Sequence, residues 1–153
     1  DVSKLSSKFS DAKVIYACHV LEHFPSSASE FAPVTWEHVL NDWVETLGKG
    51  GILRLSVPDL HAACSRYLRD NDLDEVKAFF FGGQKYDHDF HFHGWDFETL
   101  KCDLQEAGLT DVKLYDWRNT DHFYIDDYSQ AYLPHMDKAN GQLMSLNVEA
   151  RKA

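Results

Sequence analysis

"AKVIYACHVLEHF", residues 12–24, begins as a short apolar run and ends in polar residues. Continuous apolar runs rich in β-formers are typical of strands that are buried on both faces of a sheet. Residues 12–18 are therefore predicted to form such a strand. In open α/β sheets ligands bind beyond the carboxyl ends of the strands, so the polar residues that follow are candidates for a site.

Beyond this strand, helical and extended patterns alternate along the chain. A helix is predicted over 34–51, with Thr35 as its N-cap and Gly48 as its C-terminal glycine, and a strand over 51–57 follows. Three more helices and two more strands are predicted, over residues 60–70, 70–83, 96–109, 111–117 and 142–152. The first strand–helix–strand unit should be a right-handed parallel crossover, and the last strand antiparallel. This order predicts part of an open α/β sheet.

Length and composition limit the classes of protein that fit. A chain of 153 residues favours one domain over 1–153, and a net charge of −10 with scattered Lys and Arg argues against nucleic-acid or anionic-membrane binding. The three cysteines form no C-x-x-C pair, which indicates buried thiols in a reducing compartment. With no signal-peptide pattern and no membrane-length apolar run, a soluble cytoplasmic protein is expected.

Four segments follow one another in a characteristic order along almost the whole chain: VIYACHVLEHF, LGKGGILRLSVPDL, HFHGWDFETLKCDLQEAGL and SLNVEARK. Together they resemble class I S-adenosylmethionine-dependent methyltransferases, in particular a group of small predicted methyltransferases with an S/C-H-V-L-E-H stretch after the fourth strand. The resemblance implies a partial Rossmann-like sheet made of the family's fourth to seventh strands, at residues 12–18, 51–57, 111–117 and 142–151. Their spatial order would be 4-5-7-6, with flanking helices and an antiparallel last strand.

The chain departs from this family pattern where the cofactor is held. The resemblance places S-adenosylmethionine on a glycine-rich turn after the first strand, but no G-x-G-x-x-G occurs among these residues. We therefore interpret the chain as the C-terminal part of such a methyltransferase, which alone binds the cofactor weakly or not at all. Strand 12–18 would then lack the neighbouring strand that the family's first strand provides. An unpaired apolar edge favours pairing with a second copy, so a homodimer through this edge is expected.

The resemblance also implies roles for single residues. Contacts with the cofactor are expected from Asp1, Val2, Cys18, His19 and Val20. The sulfonium methyl is already activated, so transfer needs positioning and at most one base, for which a neutral histidine is suited. The catalytic candidates are His19, His23 and His93. The alternative for Glu22 and His23 is that they begin a short helical turn and bond its backbone.

Substrate contacts are expected on two segments. The resemblance assigns Glu22, His91 and Trp95 to the substrate opening. The loop 118–141 is longer than a simple connection and carries several aromatic residues. It is either a substrate-selecting lid, for which Tyr132 is the candidate contact, or an ordered excursion that covers the end of the sheet.

The segment KYDHDFHFHGWDF, residues 85–97, holds three histidines with three possible meanings. They line the substrate pocket, they bond neighbouring loops, or His88, His91 and His93 bind a metal such as zinc. The H-x-x-H-x-H spacing fits no established motif and no cysteine is near, so no metal ligand is assigned.

Three functions remain open from the sequence. The first is methyl transfer to a small-molecule or sugar-type acceptor, by a chain that is inactive alone. The second is a non-catalytic dimeric binding or scaffold domain that uses the same rim. The third is a metal-binding domain built on the histidine cluster.

Overall fold

The computed structural model describes all 153 residues as a mixed α/β fold with a four-stranded sheet, a separate two-stranded pair and four α-helices. In chain order the strands are β1 (Ala12–Cys18), β2 (Leu47–Pro58), β3 (Leu109–Leu114), β4 (Tyr132–Leu133), β5 (Gln142–Leu143) and β6 (Ser145–Lys152). The helices are α1 (Trp36–Thr46), α2 (Leu60–Asp70), α3 (Leu73–Phe81) and α4 (Phe97–Glu106). None of these helices is long and apolar enough to span a bilayer.

The main sheet has the order β1-β2-β6-β3, and it is open rather than closed into a barrel. β1 and β2 are parallel, whereas β6 lies antiparallel between β2 and β3. This confirms the predicted order 4-5-7-6 and the antiparallel last strand. β1 pairs with β2 alone, so it is an edge strand of the sheet.

Side-chain caps start all four helices. Thr35, Asp59, Asp72 and Asp96 each accept a hydrogen bond from the backbone N–H three residues later. At α4 the cap is reciprocal, because the Thr99 side chain bonds back to the backbone of Asp96. The cap at Thr35 confirms the one predicted from the sequence.

Three predicted boundaries were wrong. α1 ends at Thr46 and not at Gly48, because the buried Leu47 already pairs with Ala12 in the sheet. β3 lies over 109–114 rather than 111–117. The last strand is interrupted at Met144, whose side chain is fully buried and whose N–H donates to Ala131 O at 2.8 Å.

The core lies between the sheet and the helices α1 and α4, where 17 buried apolar residues form one cluster. β1 is less buried than predicted: Ala17 is its one buried residue, and Val14 is 45% exposed. The expectation of buried thiols also fails for two of the three free cysteines, because Cys64 and Cys102 are exposed. The edge position of β1 accounts for its exposure.

Candidate functional site

The candidate site begins where β1 ends. After Cys18 the chain adopts a left-handed conformation at His19, with φ of 50°, and then a single 3-10 turn over Leu21–His23. The His19 N–H still donates to Ser56 O at 2.8 Å, so the residue remains attached to β2. A non-glycine residue with positive φ is strained, and such strain concentrates at functional sites. The predicted short helical turn at Glu22 and His23 is confirmed, but neither side chain bonds the backbone of that turn.

The backbone of this turn holds the histidine-rich segment in place. The carbonyl oxygen of Glu22 accepts hydrogen bonds from Phe92 N at 2.8 Å and His93 N at 3.3 Å. This contact joins residues about 70 positions apart in the chain and brings His91 to the end of β1. No local pattern in the sequence indicates it.

The Glu22 side chain is a buried carboxyl group without a partner. It is 0% exposed, and neither carboxyl oxygen has a hydrogen-bond partner. Burial raises the pKa of Glu22 to about 8. At pH 7 the group is therefore mostly protonated, and the carboxylate, which is the form that a general base needs, predominates only above about pH 8. The sequence had suggested a substrate contact here, but not a perturbed acid.

His19 lies beside Glu22 and is neutral. Its Nε2 is 3.0 Å from Ser145 Oγ, and its Nδ1 is 3.4 Å from Glu22 Oε1. Burial, together with the nearby His91 and His23, lowers the pKa of His19 to about 3. The two groups are therefore no ion pair at pH 7, and His19 is a weak base. This geometry favours Glu22 over His19 as the proton acceptor.

His23 and His91 complete the cluster from the other side. Their rings meet edge to face with centroids 5.0 Å apart. His23 Nε2 is 4.0 Å from Glu22 Oε1, and one donor atom from each of Glu22, His23 and His91 lies within 4.8 Å of the other two. The structure thus brings together four of the predicted site residues, the fourth being His19.

Two other predicted residues lie in a neighbouring aromatic cluster. His93 Nδ1 is 2.9 Å from Ser26 Oγ, and its ring packs on Trp95 with centroids 4.4 Å apart. Trp95 is 1% exposed and donates its indole N–H to Asp103 at 2.7 Å. Its side chain is part of the core and supports this segment, which leaves no exposed ring for a substrate.

Tyr132, Asp1 and Val2 bond to other parts of the molecule. The buried Tyr132 accepts a hydrogen bond from Arg118 at 3.1 Å, within the 118–141 loop. Val2 O accepts from the indole of Trp43 at 2.7 Å, which ties the N-terminal residues to α1. None of these contacts involves the end of β1, so the predicted roles of the three residues remain predictions.

Cys18 and Val20 flank His19 and are partly buried. Burial, followed by the nearby Asp127 carboxylate, raises the pKa of the Cys18 thiol to about 12. The thiol is therefore protonated and a poor nucleophile at neutral pH. Both residues are placed as the cofactor prediction requires, at the carboxyl end of β1.

The metal group of His88, His91 and His93, one of the three interpretations of this segment, does not form. His88 is exposed, and His93 faces Ser26 and the tryptophans. His91 instead faces Glu22 and His23. The reason is the pairing of Phe92 N and His93 N with one carbonyl, which directs the two histidine side chains to different neighbours.

The 118–141 loop packs on the end of β1. Tyr16 Oη donates to Asp127 at 2.7 Å, and the Tyr128 ring lies over His19 with centroids 5.3 Å apart. Ser129 is buried, and its carbonyl accepts from Asn147. Held in this way, the loop covers the end of the sheet, as one of the two sequence interpretations predicted.

An open groove of about 460 Å³ lies near the same edge of the sheet. Its walls include the N-caps Asp59 and Asp96 and the start of β6 at Ser145. Ser145 connects the groove with the end of β1, because it lines the groove and also contacts His19. None of the predicted substrate contacts lines this groove.

Comparison with solved structures supports a fold assignment. Over 99% of its length the chain matches a possible exported protein from Bordetella parapertussis, with 18% identity and a TM-score of 0.55. It also matches a SAM-dependent methyltransferase from Thermotoga maritima, described as a possible histamine N-methyltransferase, and a SAM-dependent methyltransferase from Archaeoglobus fulgidus. Each of these two shares 14% identity over 99% of the chain, with a TM-score of 0.54. The fold is methyltransferase-like.

The chain covers only part of the length of each structure that it matches. It spans 42% of the Bordetella structure, 61% of the Thermotoga structure and 65% of the Archaeoglobus structure. No protein-family model matches the chain, and a search of curated proteins found no match. At these identities the comparisons establish the fold alone.

Proposed function

We propose that this chain is the acceptor-side part of an S-adenosylmethionine-dependent methyltransferase. The observation that carries the proposal is the sheet order β1-β2-β6-β3, together with a buried, unpartnered carboxyl group directly after β1. The order matches the fourth to seventh strands of the methyltransferase sheet. The carboxyl group lies beyond the carboxyl end of the strand, where ligands of open α/β sheets bind.

The residues fit S-adenosylmethionine in part. Cys18, His19 and Val20 form a partly buried edge suited to the methionine portion of the cofactor. The glycines with positive φ, which a nucleotide-binding turn would require, lie at Gly50, Gly82 and Gly108, and the chain contains no glycine-rich turn of the kind that follows the family's first strand. We therefore expect weak binding of the cofactor by this chain alone.

The cofactor would supply an activated methyl group, and residues of this chain would orient the acceptor and take its proton. In its ionised form, which the raised pKa of about 8 makes the minor form at pH 7, Glu22 would take the proton that an acceptor hydroxyl loses as its oxygen gains the methyl group. His19 stays neutral, and its imidazole can orient the acceptor or the cofactor by hydrogen bonding. A small-molecule or sugar-type acceptor with a hydroxyl group suits this arrangement, because the neutral oxygen needs a base near pH 7.

A titration with S-adenosylhomocysteine followed by amide NMR shifts tests this proposal. We expect binding in the millimolar range, with the largest shifts over residues 18–22, and further weakening by His19→Asn. His88→Asn, on the exposed part of the same rim, serves as the control and should change nothing. Shifts that avoid residues 18–22 would contradict the site, and micromolar affinity would contradict the partial fit.

We also propose that the chain forms a homodimer through the edge of β1. This strand pairs on one side only, and its Val14 is 45% exposed. An apolar strand edge readily pairs with a second chain. Light scattering at micromolar concentration should give twice the monomer mass, and Val14→Lys should return the mass of one chain. A monomeric wild-type protein would contradict this proposal.

A further inference from the structure

Glu22, His23 and His91 form a cluster of donor atoms in the structure. One carboxyl oxygen and one nitrogen of each ring lie within 4.8 Å of one another. Metal ions such as Zn²⁺ bind such atoms at about 2.0–2.2 Å, which brings neighbouring ligand atoms to roughly 3–3.5 Å. The cluster is wider than this, so metal binding would draw the three side chains together.

The two histidines are oriented by hydrogen bonds of their other nitrogen. His23 Nδ1 is 2.9 Å from Phe90 O, and His91 Nδ1 is 3.1 Å from Phe79 O. A carbonyl oxygen can only accept, so each Nδ1 carries the hydrogen, and each Nε2 keeps its lone pair. Metal-binding histidines in proteins usually have this arrangement, in which a carbonyl fixes the tautomer and the ring orientation.

The carboxyl group supplies an independent indication of a ligand. The Glu22 side chain is fully buried, yet both its oxygens lack a hydrogen-bond partner. Buried polar groups in native structures are almost always satisfied, because an unpaired one is costly. His19 Nδ1, at 3.4 Å, and His23 Nε2, at 4.0 Å, are the groups that face it. A cation between the carboxylate and the two lone pairs would satisfy all three groups together.

We propose that Glu22, His23 and His91 bind one divalent transition metal, of which Zn²⁺ is the best representative. Two imidazoles and one carboxylate suit zinc and its neighbours in the first transition row rather than Mg²⁺ or Ca²⁺, which prefer oxygen ligands. Three protein ligands leave at least one coordination position open. The His23 side chain is 25% exposed, so solvent or a small ligand can reach this position.

This site differs from the one that the sequence suggested, and it does not rest on methyl transfer. Of the three histidines in residues 88–93 it uses His91 alone. Its other two ligands come from the turn after β1. The metal-bound state is an alternative to the general-base role of Glu22, because a carboxylate that binds a metal is not free to take a proton from an acceptor.

The experiment is a titration of the metal-free, untagged protein with Co²⁺, read by its visible absorption, followed by displacement with Zn²⁺. We expect one metal per chain and an affinity in the micromolar range or tighter. Glu22→Gln and His91→Asn should each weaken Zn²⁺ binding by about tenfold or more, since each removes a ligand. His88→Asn is the matched control, because it removes an exposed histidine three positions from His91, and its affinity should equal that of the wild type.

A second measurement uses the wild-type protein alone, so its result does not depend on whether a variant folds correctly. Nitrogen NMR of the imidazoles should show the Nε2 signals of His23 and His91 shifting on addition of Zn²⁺, while the Nδ1 atoms keep their hydrogens. Millimolar or weaker binding would overturn the proposal. So would equal losses in the His88 and His91 variants, or shifts confined to other histidines.

Discussion

Two buried carboxyl groups of this molecule have opposite surroundings. Asp42 on α1 accepts hydrogen bonds from Leu5 N at 2.6 Å and from Ser6 N and Oγ at 3.2 and 2.6 Å. Glu22, at the end of β1, is more deeply buried and accepts none on its side chain. Asp42 stabilises the fold by fixing the N-terminal segment against α1. Glu22 contributes nothing comparable, and its position is explained by a ligand rather than by stability.

The largest effect is expected from Asp42→Ala. This change leaves two backbone N–H groups and a hydroxyl without their acceptor, and hydrogen bonds to a charged group contribute about 1.5–3 kcal/mol each but not additively. We expect the free energy of unfolding to fall by about 3 kcal/mol in urea denaturation. Asp42→Asn, which keeps one acceptor oxygen, should lose less. A loss below about 1 kcal/mol for the alanine variant would contradict the claim that Asp42 stabilises the fold.

Glu22→Gln should not lower stability in metal-free buffer. The glutamine has the same shape and breaks no hydrogen bond, and it removes a group whose ionisation is opposed by burial. Above the unfolded pKa of about 4.3 the glutamate of the unfolded chain ionises while burial keeps that of the folded chain protonated, so the wild type loses stability between about pH 4.3 and pH 8. We therefore expect Glu22→Gln to equal the wild type near pH 4 and to be more stable than it at pH 7. A loss of about 2 kcal/mol or more in the same urea experiment would show that Glu22 is a structural residue like Asp42.

Glu149 on β6 is a third carboxyl group, and its surroundings are intermediate between those of Asp42 and Glu22. Burial tends to raise its pKa, but the hydrogen bond and charge of Arg54, 2.9 Å away, outweigh burial, so the pKa of Glu149 is lowered. A lowered pKa means that the contribution is present above the unfolded value of about 4.3 and is lost as the pH falls through the folded value.

We expect the Glu149 contribution to be smaller than about 1 kcal/mol, because the pair is partly solvated. Glu149→Gln should therefore flatten the acid side of the stability profile and leave its alkaline side unchanged. Thermal unfolding between pH 3 and 8 measures this. An unchanged acid limb would mean that Arg54 contributes no net stabilisation to Glu149.

The smallest expected effect concerns which ring nitrogen of His23 and of His91 carries the hydrogen. In the metal-free protein the imidazoles of His23 and His91 should carry hydrogen on Nδ1, because each Nδ1 faces a backbone carbonyl. Nitrogen NMR distinguishes the two tautomers directly, and the exposed His88 should show the mixture found in peptides. A predominance of the Nε2–H form at His23 or His91 would contradict the orientation described for the site.

The sheet could be predicted from the sequence because its signals are local and its family order is characteristic. Apolar runs marked β1 and β2, and the cap at Thr35 marked the start of α1. The end of α1 was misplaced because tertiary pairing of Leu47 overrides the glycine signal at Gly48. Local propensity is weak where a neighbouring strand decides the backbone.

The candidate site could be predicted only in part. The end of β1 was found, because strand ends in α/β sheets are local and recognisable. The meeting of His91 with Glu22 and His23 was missed, since it depends on two backbone hydrogen bonds between segments far apart in the chain. In the same segment His93 faces Ser26 instead of this cluster.

The central claim is that the Glu22 carboxyl group faces a ligand, whereas Asp42 holds the fold. The most direct test measures the free energy of unfolding of the wild type, Glu22→Gln and Asp42→Asn, each with and without Zn²⁺. At about a hundred times the dissociation constant, Zn²⁺ should stabilise the wild type and Asp42→Asn by about 2.7 kcal/mol each, the second from a lower starting value. Glu22→Gln should start at or above the wild type and gain about 1.4 kcal/mol or less, because its affinity for Zn²⁺ is about tenfold or more weaker. Equal gains in all three proteins, or a metal-free loss in Glu22→Gln as large as that in Asp42→Asn, would contradict the account.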